Sequence, residues 1–148
     1  MLKKAIAALS LAVMFGSVSP MMGEAATYHT KAISVAKTNL GVPYKWGGTT
    51  PNGFDCSGLI QYSFGKAGKS LPRTSADMYK KGTRIMHYTS LKPGDLVFFA
   101  PNRASRPTHA SIYMGSNKMI HSSSSKGVST TSIYNTYWKP QFIGAKRI

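Results

Sequence analysis

Past Lys92 the apolar residues change their spacing, and that change limits the architectures open to the chain. Before it, Ala32, Ile33, Ala36 and Leu40 form a stripe at helical spacing. Thr30 stands where a capping hydroxyl is favoured, and Gly41-Val42-Pro43 ends the run. A second helix is predicted from Asp55-Cys56 through Leu59, Ile60, Ser63, Phe64 and Ala67, with Gly68 as its stop. Thr74 or Ser75 caps a shorter one through Met78 and Tyr79. The stretch between the first two helices, Tyr44 to Gly53, is rich in Gly, Pro and Asn and reads as a long loop. Lys92-Pro93-Gly94-Asp95 then forms a turn, and Leu96-Val97-Phe98-Phe99 is a continuous apolar run suited to a buried strand. His109 to Met114 alternates, Gly115 to Lys118 returns the chain into Met119-Ile120-His121, and residues 127–131 and 142–148 supply two more strands. Helices first and antiparallel strands second predict an α+β domain.

The first residues read differently. Met1-Leu2-Lys3-Lys4 precedes an apolar run from Ala5 to about Val18, then Ser19-Pro20 and Gly23-Glu24-Ala25-Ala26. The run is short of the roughly 20 residues a membrane span needs, and small residues follow where a signal peptidase cuts. Residues 1–25 are therefore expected to be a secretory leader cleaved after Ala25 or Ala26, leaving residues 26–148 as one domain. No cysteine follows the run to take a lipid, so the product is expected to be released as a monomer without a membrane anchor. A chain of 148 residues can bury a real core without metal or disulfide staples.

The formal charge is +15, which loss of Lys3, Lys4 and Glu24 lowers by only one. The cations are scattered, with no arginine-rich tract and no nucleic-acid module, so anionic wall polymers rather than nucleic acid are the expected polyanion. One cysteine is present. In an exported chain it has no intramolecular partner, which leaves a buried small side chain or a reactive thiol.

Its neighbours favour the thiol. Cys56 stands at a loop-to-helix junction, where unpaired N–H groups and the helix dipole favour a thiolate. Asp55 opposes this as a neighbouring carboxylate, so a cationic partner is needed. Among the four histidines, His29, His87, His109 and His121, the last two sit at the ends of consecutive predicted strands. A hairpin around Gly115 to Lys118 makes them cross-strand neighbours. His121 can then hold one nitrogen of His109 while the other faces Cys56, an arrangement of nucleophile, base and orienter. Cysteine and histidine spacing offers no metal site, and no cofactor motif is present.

Five segments occur in order: Gly41-Val42-Pro43-Tyr44-Lys45-Trp46-Gly47-Gly48, Phe54-Asp55-Cys56-Ser57-Gly58-Leu59, Leu71-Pro72-Arg73-Thr74-Ser75, Lys92 to Phe99, and His109-Ala110-Ser111-Ile112-Tyr113-Met114-Gly115. Together they closely resemble the NlpC/P60 peptidases, over nearly the whole chain after the leader. The resemblance implies a papain-like α+β fold, with N-terminal helices packed on a mainly antiparallel sheet. It implies hydrolysis of peptidoglycan stem peptides, usually between D-glutamate and a diamino acid. Cys56 is then the nucleophile, His109 the base and His121 the third polar residue. Tyr44 matches a tyrosine beside the nucleophile that helps hold the oxyanion, and Asp55 and Ser57 match groove-lining positions suited to a free amino terminus.

The chain departs from the family around its base. Thr108 replaces a frequent serine and keeps the hydroxyl beside the substrate, while Ala110 and Ser111 replace a Val-Gly pair. Trp46 either packs beside the Gly47-Gly48 turn or floors a ligand groove, and Arg73 holds its loop by bonding carbonyls or a carboxylate. Arg103 and Arg106 belong to a solvated loop. Two other readings use the same residues: a cationic wall-binding protein without hydrolytic activity, and a thiol amidase or acyltransferase on the same fold.

Overall fold

The computed structural model describes residue 16, residues 24–101 and residues 105–148; most of the expected leader, and Arg103, lie outside them. Three helices precede a six-stranded antiparallel sheet. Helix α1 spans Glu24–Thr38, α2 Cys56–Lys66 and α3 Ser75–Met78. Strands β1 (Thr49–Thr50) and β2 (Gly53–Phe54) form a small hairpin. The main sheet runs in the order β3-β8-β4-β5-β6-β7, from β3 (Thr83–Ile85), β4 (Leu96–Phe99), β5 (His109–Gly115), β6 (Lys118–Ser123), β7 (Gly127–Ser132) and β8 (Phe142–Arg147). This is the α+β arrangement expected. No helix among the described residues is long and apolar enough to cross a membrane.

The sheet is buried on both faces, as its continuous apolar strand requires. Leu96 and Phe98 of β4 pack with Ala110 and Ile112 of β5, Ile120 of β6 and the apolar sides of α1 and α2: Ala32, Ile33, Ala36, Leu59, Ile60 and Phe64. The alternate residues Val97, Phe99, Tyr113, Met119 and Ala145 face the other way, beneath Ile133, Trp138 and Phe142. Phe54, Phe64, Phe98 and Phe99 are fully buried, each contributing roughly 1.5–3 kcal/mol.

Three elements depart from expectation. Helix α1 begins at Glu24, so Thr30 lies inside it and is no cap; Ala25 and Ala26 are strong helix formers that extend it backward. The helix also stops at Thr38, and Leu40 is left 49% exposed in the following turn. The stretch from Tyr44 to Gly53 is not wholly loop, since it carries β1, and Tyr44 makes a parallel bridge to Phe54. Strand β3 was not foreseen; it pairs with β8 at the sheet edge and buries only Ile85, too little apolar pattern to read.

Candidate active site

Cys56 is the first residue of α2, and its surroundings follow from local sequence. Asp55 is the N-cap in extended conformation, its carboxylate accepting from Gly58 N at 2.6 Å. Gly58 has no alternative there. A Cβ at this position would lie 1.9 Å from the Gly48 carbonyl, the oxygen that accepts from Asp55 N at 3.0 Å. The glycine loop and the helix start thus pack backbone to backbone, which fixes where the sulfur points.

Asp55 is also paired. Arg73 Nη2 and Nη1 reach its two oxygens at 2.6 and 3.1 Å, and Nη1 donates to Ser57 Oγ at 2.9 Å. Arg73 therefore holds its loop through a carboxylate, as foreseen, and offsets the anion beside Cys56. Asp55 and Ser57 are occupied by this network, and neither lines the cleft that holds the sulfur.

That cleft is a cavity of about 500 Å³ whose walls include Tyr44, Cys56, Thr108, His109, His121, Thr131 and Trp138. Trp46 is not among them. It is 88% exposed, so it is not the packing residue that the sequence allowed; on the Gly47 turn its ring meets solvent. Arg106 is exposed, as expected of a solvated loop.

The two histidines meet on the sheet face opposite the helices. Ile112 opposes Ile120, and continuing that register makes His109 and His121 diagonal neighbours. His109 Nε2 lies 2.8 Å from His121 Nδ1, and His121 Nε2 lies 3.1 Å from Thr131 Oγ1 of β7. With Nε2 engaged, Nδ1 is the His109 nitrogen left for the cleft. Trp138, in the segment after β7, stacks its indole on His109 at 4.2 Å and 20° and meets His121 edge-on at 5.4 Å.

Burial governs the charges here. It lowers His109 to about 3, with His121 adding to the effect, and lowers His121 to about 4, with Lys126 adding to that. Burial also pushes the Cys56 thiol up; N–H groups of Ala110, Ser57 and Cys56 pull it down, and Asp55 raises it further. The helix start alone therefore does not produce a resting thiolate, because desolvation outweighs it. Sγ makes a long contact of 3.8 Å to the Thr108 carbonyl, suited to a neutral thiol. The Trp138 face is the part of this setting that favours an imidazolium. Tyr44 is likewise raised, by burial first and then by Cys56 and Asp55 against a lowering by Arg73, so its hydroxyl remains a donor.

Thr131 and Trp138 were not found from sequence. Thr131 is one hydroxyl among several in a polar strand, and Trp138 lies in a segment without periodicity; only strand register and chain return bring them to His121.

A thiol at a helix start, an imidazole pair on the adjoining sheet and a shared cleft define a cysteine-hydrolase-like site on an α+β scaffold. The chain belongs to the NlpC/P60 family, which matches residues 41–147. It is 44% identical over 149 residues to the gamma-DL-glutamyl hydrolase of Bacillus subtilis, covering 95% of this chain and 36% of that one. It is 47% identical over 118 residues to the probable peptidoglycan endopeptidase LytE of the same species, covering 80% and 34%. A crystal structure of an NlpC/P60 family protein from Bacillus cereus superposes with a TM-score of 0.75 at 31% identity, covering 80% of this chain and 39% of that one. The chain thus spans little more than a third of the length of these curated relatives.

Proposed function

We propose that this chain is an exported cysteine endopeptidase that cleaves peptidoglycan stem peptides at the bond between a γ-linked D-glutamate and a diamino acid. The observation that carries the reading is the hydrogen-bonded line Thr131–His121–His109 ending in the cleft that contains Cys56. The B. subtilis relatives, by their names a γ-glutamyl hydrolase and a probable peptidoglycan endopeptidase, support the bond and the substrate.

Thiol and imidazole rest uncharged, so the proton moves as the carbon–sulfur bond forms. His109 Nδ1 takes the thiol proton while Sγ attacks the scissile carbonyl carbon. The Cys56 N–H and the Tyr44 hydroxyl donate to the oxyanion. Collapse breaks the carbon–nitrogen bond, His109 returns its proton to the leaving amine, and a thioester remains. Water, deprotonated by the same ring, releases the acid and restores the thiol.

The test is mass spectrometry of products after the full chain meets defined muropeptides. The expected result is one new amine on the diamino acid, absent with Cys56→Ala, whose circular dichroism is unchanged. Products cut at another bond refute the assigned substrate, and hydrolysis retained by the alanine variant refutes the thiol mechanism.

A further inference from the structure

One wall of the cleft is unused by this chemistry. It is the turn between β6 and β7, Ser123 to Lys126, closed by Lys126 N donating to Ser123 O at 3.3 Å. Among the residues lining the cleft, Lys126 is the one Lys or Arg, and none is Asp or Glu. Ser123, Ser124 and Ser125 stand beside it. Among the described residues no carboxylate pairs with Lys126: Asp55 pairs with Arg73, Asp77 with Lys80 and Asp95 with Arg147. The sequence has only four acidic residues, and the fourth, Glu24, begins α1.

The turn is also held in place. Gly127 follows at φ +65, and a Cβ there would meet the Val42 carbonyl at 2.4 Å. Val128 N donates to Val42 O at 2.9 Å, and Gly41 N to Val128 O at 2.9 Å. The Lys126 turn is thereby locked to the segment that carries Tyr44, on the rim of the same cleft. The Lys126 ammonium also lies near enough to bias His121 toward its neutral form, second to burial.

A γ-glutamyl linkage differs from an ordinary peptide bond in one respect that a cation can read. Its scissile carbonyl belongs to the side chain, so the α-carboxylate stays free a few atoms away. We infer that the Ser123–Lys126 turn is a carboxylate subsite, with Lys126 pairing the free α-carboxylate of the γ-linked residue and the neighbouring serine hydroxyls completing its hydrogen bonds. This rests on the proposed endopeptidase reading and adds a specificity residue to it. An ammonium–carboxylate hydrogen bond of this kind corresponds to about tenfold in affinity.

The experiment uses the full chain with Cys56→Ala, which binds without turnover, and two synthetic stem peptides that differ only in bearing the α-carboxylate or its carboxamide. Calorimetry is expected to give about tenfold tighter binding of the carboxylate. Adding Lys126→Gln is expected to erase that gap by weakening the carboxylate peptide alone, the unchanged carboxamide affinity showing that the fold survives; Lys126→Arg is expected to keep most of it. No gap in the parent, or a gap that survives Lys126→Gln, overturns the subsite. Hydrolysis of both peptides by the unaltered chain is scored separately: a binding gap without cleavage upholds the subsite and refutes the reaction.

Discussion

The line from Thr131 through His121 to His109 has one protonation pattern that leaves a basic nitrogen toward Cys56. His109 must carry its proton on Nε2 and donate to His121 Nδ1, and His121 must then donate from Nε2 to Thr131 Oγ1. Without the threonine oxygen, the buried Nε2–H of His121 has no acceptor and the opposite tautomer is favoured, which places a proton on the His109 nitrogen facing the thiol. Thr131→Val is therefore expected to lower kcat about tenfold with little change in KM, and Thr131→Ser to restore it. Steady-state kinetics on a muropeptide would decide this; equal kcat in the valine variant refutes the positioning role. At this scale Cys56, His109 and His121 could be singled out as candidates because a lone cysteine at a helix start and histidines at strand ends are local patterns, to which the family resemblance gave roles. Thr131 and Trp138 could not, since a hydroxyl acquires this role only through the atom opposite it.

Helix α2 contains two glycines that the sequence alone treats alike. A Cβ at Gly58 would press on the Gly48 carbonyl, whereas one at Gly65 meets nothing within 4 Å. Alanine is favoured over glycine inside a helix by roughly 1 kcal/mol, while overpacking against a fixed backbone costs roughly 1–3 kcal/mol. Propensity should win at Gly65 and sterics at Gly58. Gly65→Ala is expected to raise the urea midpoint, and Gly58→Ala to lower it and to reduce activity by shifting the helix start. A midpoint raised by Gly58→Ala would show that the loop yields. The boundaries of α2 were legible because the Asp55 cap and Gly68 directly flank the helix in sequence. The backward extension of α1 and the existence of β3 were not, the first because capping competes with helix formers on either side of Thr30, the second because β3 gains its order from β8.

Across the whole molecule the pair formed by half-buried His109 and buried His121 ties stability to pH. In the unfolded chain both imidazoles take protons near pH 6.5, but in the folded chain only near 3 and 4. The unfolded state thus binds more protons between those limits, so stability is full above about 6.5 and is lost as pH falls toward 3. Urea midpoints are expected to drop between pH 7.5 and 4.5 in the parent and much less in the His109→Gln/His121→Gln variant; the same drop in both assigns the loss to other groups. Periodicity, caps and turns are properties of neighbours along the chain, and from them followed the α+β class, the start of α2 and the strands from β4 to β8; the proposed thiol and imidazoles needed the family resemblance besides. Desolvation, hydrogen-bond order and the faces of a cleft depend on residues far apart in sequence. The neutral state of the site, the tautomer that Thr131 sets and the placing of Lys126 on the wall of the cleft that holds the sulfur therefore arise only when the sheet closes over the helices.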